Sequence, residues 1–212
     1  SKKGPKDFVT KTDKRVEKIL IEELSKSKKN YSFITEESGQ ILNNNQDIFW
    51  VIDPIDGTMN FLHGIPHFAI SLALQIDGEI ISGLITDPIK NEMFYAEKDI
   101  GSFINNNRIR VSKKSNLDEC LFASNSDGIK SVYPKLNLRN TGCAALDLAY
   151  VACGRLDGFF HDKINLWDVA AGKIIIEEAG GKVNDISKFK INKIDIRAGN
   201  PNIYEKMIKK II

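Results

Sequence analysis

The spacing of apolar positions in the first 110 residues predicts one helix followed by a series of strands. Residues 12–30 carry apolar side chains every three or four positions, so we predict a helix there, with Thr12 or Asp13 as its N-cap. The apolar positions of this helix are Val16, Ile19, Leu20 and Leu24. Short apolar runs predict strands at 31–34, 47–53, 67–76, 79–87, 91–98 and 101–111. Asp77 and Gly78 lie between two of these runs, where an Asp-Gly pair is typical of a two-residue hairpin turn.

In the second half of the chain, helical and strand patterns alternate. Helices are predicted at 143–154, 167–181 and 201–211. Strands are predicted at 121–125, 155–163, 182–186 and 195–200. The polar stretch 110–118 separates the two patterns. We therefore predict an N-terminal half, 1–112, and a C-terminal half, 113–212, packed as one compact unit.

Composition narrows the class of protein. The chain has 212 residues, 42% of them hydrophobic, which is enough for a sizeable core. Its formal charge of +2 gives no support for nucleic-acid binding through bulk electrostatics. Three cysteines without CxxC spacing or even pairing favour a reduced, cytoplasmic setting. No apolar run approaches the roughly 20 residues of a membrane span, and the first residues lack the apolar segment of a signal peptide.

The segment DPIDGT, residues 53–58, carries the clearest candidate chemistry. Asp53 and Asp56 lie on either side of Pro54, and we expect the proline to bend the chain so that both carboxylates converge. Adjacent carboxylates repel each other unless a cation lies between them or one is protonated. Gly57 and Thr58 open a predicted short helix, whose free amides attract phosphate. Mg²⁺ takes oxygen ligands and bridges to phosphate. The alternative is that the two aspartates are ordinary turn residues.

Further acidic residues follow or precede predicted elements. Glu36 and Glu37 come directly after the strand at 31–34, and solvated loop charges are the alternative for them. Asp168 opens the helix at 167–181, where it can serve as an N-cap, as a ligand or as both. For Asp13, the alternative is that it merely caps the first helix and has no role in a site.

Four segments in the same order resemble the inositol monophosphatase family of Mg²⁺-dependent, lithium-sensitive phosphatases. They are TKTDKRVEK at 10–18, EES at 36–38, DPIDGTMNF at 53–61 and WDVAAGKIIIEEAGG at 167–181. Bacterial members of the extragenic suppressor type are the most similar, and the resemblance covers nearly the whole chain. It implies the sugar-phosphatase fold, an α/β (α+β) protein built as a layered αβαβα sandwich. It also implies a homodimer.

The resemblance further implies the role of each site residue. Two to three Mg²⁺ ions per site would be held by Glu36, Asp53, the carbonyl of Ile55, Asp56 and Asp168. Thr58 paired with Asp13 would help to activate the attacking water, with Glu36 nearby. The substrate, a small phosphate monoester such as inositol 1-phosphate, would contact Ile55, Asp56, Gly57, Thr58, Gly142, Cys143, Ala144, His161 and Asp168. Metal-activated water attacking in line fits this chemistry, because bound Mg²⁺ lowers the pKa of water and stabilises the leaving oxygen.

Several positions leave the identity of the substrate undecided. His161 stands where members acting on inositol phosphates commonly have a glutamate, and Cys143 can instead be a buried helix residue. Activity on fructose 1,6-bisphosphate or on a 3′(2′),5′-bisphosphate nucleotide is one alternative. A non-catalytic role in RNA-processing or transcription complexes is another, with the basic clusters at 25–29 and 187–193 as the contact surface. Family members usually have one helix before the point where this sequence starts and another between residues 124–134 and 135–142, where it is missing or shortened here. Either the protein is compact, or these segments are absent from the chain as given.

Overall fold

The computed structural model describes residues 11–26, 30–124, 136–186, 191 and 193–211. Within them, two mixed β-sheets alternate with layers of helix. The residues before 11, nearly all of 124–134 and most of the basic clusters at 25–29 and 187–193 lie outside the described ranges.

The first sheet has eight strands in the order β2-β1-β3-β4-β5-β6-β7-β8. Their bounds are β1 Tyr31–Thr35, β2 Gly39–Ile41, β3 Asn45–Asp56, β4 Ala69–Ile76, β5 Glu79–Asp87, β6 Glu92–Glu97, β7 Gly101–Ile104 and β8 Asn107–Arg108. All neighbours are antiparallel except β1 and β3, which are parallel. The predicted turn at Asp77-Gly78 is confirmed, with φ of 51° and 82°. The predicted single strand at 101–111 is wrong: Asn105 and Asn106, with φ of 43° and 68°, form a second tight turn between β7 and β8.

The second sheet has five strands in the order β10-β9-β11-β13-β12. Their bounds are β9 Leu121–Ala123, β10 Asn137–Arg139, β11 Gly158–Ile164, β12 Lys182–Val183 and β13 Ile194–Gly199. β9, β10 and β11 are parallel, whereas β13 runs antiparallel to both of its neighbours. This sheet lies wholly in the second half of the chain, and the first sheet lies wholly in the first half. The division into 1–112 and 113–212 itself stays a prediction.

The helices lie on both faces of the sheets. Their bounds are α1 Lys11–Ser25, α2 Thr58–Leu62, α3 Ala144–Ala152, α4 Leu166–Glu178 and α5 Pro201–Ile211, with a short 3₁₀ turn at Leu117–Glu119. α1 packs on β1 and β3, α3 and α4 pack together between the two sheets, and α5 covers the far side of the second sheet. The predicted αβαβα sandwich is therefore confirmed.

The central layer is packed closely through two glycines. A Cβ on Gly83 in β5 would lie 2.6 Å from Cγ2 of Ile174 in α4. A Cβ on Gly172 in α4 would lie 2.5 Å from Cβ of Leu148 in α3. Since neither position has room for a side chain, α4 is held directly against the first sheet on one side and against α3 on the other.

The buried face of α1 differs from the prediction. The residues it buries are the acidic Asp13 and Glu17, which are 1% and 2% exposed, whereas Ile19 of the predicted apolar stripe is 48% exposed. The predicted N-cap is also wrong, because the helix begins at Lys11 and both Thr12 and Asp13 lie inside it. The reason is tertiary: α1 turns its carboxylates toward the site described below.

In the described part of the chain, we find no helix with the length and apolar character needed to cross a membrane. Cys120, Cys143 and Cys153 are free thiols, and none of them forms a disulfide.

Candidate active site

Asp53 and Asp56 lie within a strand, not in a turn after it. β3 continues through Pro54 to Asp56, so the prediction that the strand ends at Asp53 is wrong. Asp53 pairs with Ser71 of β4 and Asp56 pairs with Ala69, which sets three steps on β3 against two on β4. The extra residue is a β-bulge, a feature that re-aims side chains near active sites. Since alternate residues of β4 share a face, the bulge places both carboxylates on that same face.

The start of α4 brings a third carboxylate to the pair. Asp53, Asp56 and Asp168 each place one carboxylate oxygen within 4.8 Å of those of the other two. The backbone N–H of Asn165, which is the N-cap, donates to Oδ2 of Asp168 at 3.0 Å. Asp168 is therefore the third residue of the helix and stabilises its first turn, and the alternative that it is the N-cap itself is wrong.

A fourth carboxyl group reaches the cluster from a hairpin turn. Glu36 lies between β1 and β2, and its backbone N–H donates to the carbonyl of Ile52 at 3.3 Å. The residue is exposed as a whole, but its carboxyl group hydrogen-bonds that of the buried Asp53. The four acidic residues that lie far apart in the sequence are thus gathered at one place.

Burial and mutual repulsion disfavour four negative charges here. Burial, followed by the charge of Asp168, raises the pKa of Glu36 to about 7. Burial, followed by the charge of Asp56, raises the pKa of Asp168 to about 7. Burial also raises the pKa of Asp56 to about 6 and that of Asp53 well above its usual range. Such a cluster needs protons or cations, and its ligand set of oxygens alone fits a hard divalent cation such as Mg²⁺.

Donors at the start of α3 hold Asp56. The backbone N–H of Ala145 donates to its Oδ2 at 2.5 Å, and Sγ of Cys143 lies 3.2 Å from the same oxygen. Burial, followed by the charge of Asp56, raises the pKa of the Cys143 thiol well above its ordinary value. The thiol is therefore neutral and a hydrogen-bond donor, which excludes an activated nucleophile. Cys143 is the N-cap of α3 and is fully buried.

Gly57 joins β3 to the short helix α2 in a conformation that requires glycine. Its φ is 89°, and a Cβ there would lie 3.1 Å from the carbonyl of His67 and 3.3 Å from that of Gly142. Nδ2 of Asn60 donates to the carbonyls of His67 and Thr141, at 2.7 and 2.9 Å. These contacts bring the segment with Gly142, Cys143 and Ala144 beside Gly57 and Thr58, as the resemblance implies.

The backbone around Ile55 is held by its neighbours. Its N–H donates to Oδ1 of Asp53 at 2.9 Å, and the Thr58 hydroxyl donates to its carbonyl at 2.9 Å. The pairing of Thr58 with Asp13 therefore stays a prediction. Asp13 does lie close enough for its charge to raise the pKa of Glu36.

Glu17 is a site residue that the sequence reasoning missed. Its Oε2 accepts from the backbone N–H of Glu37 at 2.9 Å, and its Oε1 accepts from the hydroxyl of Ser38 at 2.5 Å. The available signal was its position four residues after Asp13, which puts both carboxylates on one face of α1.

His161 makes its contacts within the second sheet. Its Nδ1 lies 2.9 Å from the carbonyl of Asp162, its ring stacks on Phe159, and its carbonyl accepts from Arg197 at 3.0 Å. Burial lowers the pKa of the imidazole, so it is neutral near pH 7. Its contact with substrate stays a prediction.

Comparisons with known proteins agree with this architecture. The model of the inositol monophosphatase family matches residues 1–211. The Escherichia coli K12 protein "Nus factor SuhB" is 40% identical over 98% of this chain and 84% of its own length. The "Inositol-1-monophosphatase" of Mesorhizobium japonicum is 37% identical over 100% and 85%. The crystal structure of the extragenic suppressor protein suhB from Bartonella henselae superposes with a TM-score of 0.90 at 41% identity, over 100% of this chain and 87% of that one. The chain therefore belongs to the inositol monophosphatase family.

Proposed function

We propose that this protein hydrolyses the phosphate monoester of a small polyol or sugar in a Mg²⁺-dependent reaction, with inositol 1-phosphate as the first substrate to test. The observation that carries the proposal is a set of three carboxylates, on Asp53, Asp56 and Asp168, each of which has one oxygen within 4.8 Å of an oxygen of the other two. Relatives that are named inositol-1-monophosphatase support the choice of substrate.

The cluster fits the metal that the family implies. Two to three Mg²⁺ ions would be held by Glu36, Asp53, the carbonyl of Ile55, Asp56 and Asp168. When bound, Mg²⁺ neutralises phosphate charge and lowers the pKa of water, so that no covalent enzyme intermediate is needed. A bound cation would also offset the mutual repulsion that raises the pKa of these carboxyl groups.

The protein's own residues would orient the reactants. The Ala145 N–H and the Cys143 thiol donate to Oδ2 of Asp56 and hold this carboxylate in place at the cluster. Thr58 and Asp13, with Glu36 beside them, would take up the proton of the attacking water. The amides of Gly57 and Thr58 would bind the phosphate. Gly142, Cys143, Ala144 and His161 would line the pocket for the alcohol group.

Phosphate release from inositol 1-phosphate tests the proposal. We expect release with Mg²⁺, none with excess chelator, and inhibition by Li⁺. Asp53→Asn should abolish release, and the exposed Asp118→Asn should not. Activity that persists without divalent metal would contradict the mechanism. A strong preference for fructose 1,6-bisphosphate or for a 3′(2′),5′-bisphosphate nucleotide would keep the metal chemistry and reassign the substrate.

A second role is favoured by the name of one group of relatives, "Nus factor SuhB". A transcription-related function would be separable from hydrolysis. We expect Asp53→Asn to bind bacterial RNA polymerase as well as the wild type does if the protein has this role. No binding by either form would remove the second candidate and leave the first unaffected. For either role, we propose a cytoplasmic location.

A further inference from the structure

We infer that Glu17 is a positioning residue for the proposed metal centre. Its carboxylate joins the turn Glu36–Ser38 to α1. The position of this turn then places the Glu36 carboxyl group next to Asp53. The first half of this inference concerns the fold, and the second half rests on the proposed function.

Glu17 uses both of its oxygens on this turn. The residue is 2% exposed, and its two acceptor bonds, from the Glu37 N–H and the Ser38 hydroxyl, measure 2.9 and 2.5 Å. Hydrogen bonds to a carboxylate are shorter and stronger than those between neutral groups. A buried carboxylate of this kind is retained in a core only when such donors reach it. The two contacts therefore join α1 firmly to a segment about 20 residues away.

The other bonds of the turn are longer and come from the sheet. The Ser38 N–H donates to the Thr35 hydroxyl at 3.2 Å, and the Glu36 N–H donates to the Ile52 carbonyl at 3.3 Å. These bonds fix where the turn leaves the sheet, whereas Glu17 holds its outer residues. Glu36 lies between the contacts with the sheet and the contacts with Glu17. If the Glu17 contacts are lost, the Glu36 side chain can therefore move away from Asp53.

A substitution that removes an acceptor tests the inference. Glu17→Met keeps the length of the side chain, but it has no oxygen to accept from the Glu37 N–H or the Ser38 hydroxyl. We expect faster hydrogen exchange of the Glu37 amide and an affinity for Mn²⁺, used as the probe ion, that is about 10- to 100-fold weaker. High Mg²⁺ should restore much of the lost hydrolysis, since the ligands themselves are intact.

Two further variants separate positioning from general loss of stability. Ser38→Ala removes one of the two bonds without disturbing the helix, so it should weaken Mn²⁺ binding in the same direction and by less. It also carries the test if Glu17→Met does not fold. Leu20→Ala removes packing from the same helix, where Leu20 is half-buried. It should lower the melting temperature and leave the affinity for Mn²⁺ unchanged.

The outcomes are distinguishable from failure of the proposed function. If the wild type binds Mn²⁺ but hydrolyses no phosphate monoester, the proposed function fails, and the change in Mn²⁺ affinity still decides the role of Glu17. Unchanged exchange of the Glu37 amide in Glu17→Met would overturn the inference. Equal Mn²⁺ affinity in Glu17→Met and the wild type, or no Mn²⁺ binding by the wild type, would overturn it as well.

Discussion

Neutralising Asp168 should make the metal-free protein more stable, although it removes a proposed metal ligand. Its carboxyl pKa rises from 3.8 to about 7 in the folded chain, because of burial and the charge of Asp56. A difference of one pKa unit corresponds to about 1.4 kcal/mol, so ionised Asp168 costs the folded state up to about 4 kcal/mol. The groups titrate together, and relieving one of them lowers the pKa of the others. We therefore expect Asp168→Asn to add about 2–4 kcal/mol to the free energy of unfolding.

The gain should depend on pH in a defined direction. A folded state that binds a proton more tightly than the unfolded state loses stability as pH rises between the two pKa values. For Asp168 this loss begins near pH 4 and is complete a little above pH 7. In excess chelator, the variant should therefore gain most near pH 8 and much less near pH 5. For a chain of this length, the gain near pH 8 corresponds to a rise of roughly 5–15 °C in the melting temperature.

Chemical and thermal unfolding at both pH values, with chelator and with Mg²⁺, measures these effects. Mg²⁺ should stabilise the wild type and have little effect on Asp168→Asn. Asp87→Asn is the matched control: this buried carboxylate pairs with Lys90 at 2.7 Å, which holds its pKa below the usual range, so its neutralisation should destabilise. If Asp168→Asn lost stability at both pH values in the absence of metal, the argument from repulsion would be refuted.

Three other expectations follow from the site and its relatives. Cys143→Ala removes a donor to Asp56 and should weaken Mn²⁺ binding several-fold, whereas Cys143→Ser, with a hydroxyl donor, should restore it; equal affinity in the two variants would contradict this role. His161→Glu should raise kcat/KM for inositol 1-phosphate relative to other monoesters if His161 lies at the substrate, and a substrate panel that does not change would remove it from the site. Light scattering of the purified chain should give twice its monomer mass of 23.8 kDa, and a single monomeric mass would contradict the proposed homodimer.

Sequence reasoning succeeded where the physics is local. The turn at Asp77-Gly78 was predictable because two consecutive residues with positive φ favour those residue types. The acidic cluster was predictable because Asp53 and Asp56 are close together directly after an apolar run, and the motif around Asp168 supplied the third member. Each of these signals is contained in a few neighbouring residues.

The remaining features depend on distant partners. The bulge that keeps β3 going to Asp56 is defined only by its pairing with β4, so proline in the sequence suggested a strand end instead. Glu17 is buried because Glu37 and Ser38 come to it, and no local preference of a helix predicts a buried carboxylate. The three-residue strand β2 is too short to give a periodic signal, and it is stabilised by its pairing with β1.

The two glycines of the central layer limit which substitutions this protein can accept without moving its acidic cluster. At Gly83 the backbone of the first sheet meets Ala171 and Ile174 of α4, and at Gly172 the backbone of α4 meets the Leu148 side chain, so neither glycine has room for a side chain of its own. The distance between the backbone of α4 and its neighbours is therefore fixed at these two positions. This distance also sets how far Asp168, at the start of α4, lies from Asp53. Octahedral Mg²⁺ tolerates little error in the position of its ligands. Substitutions that enlarge either glycine should consequently weaken metal binding at the proposed centre, even in a chain that still folds.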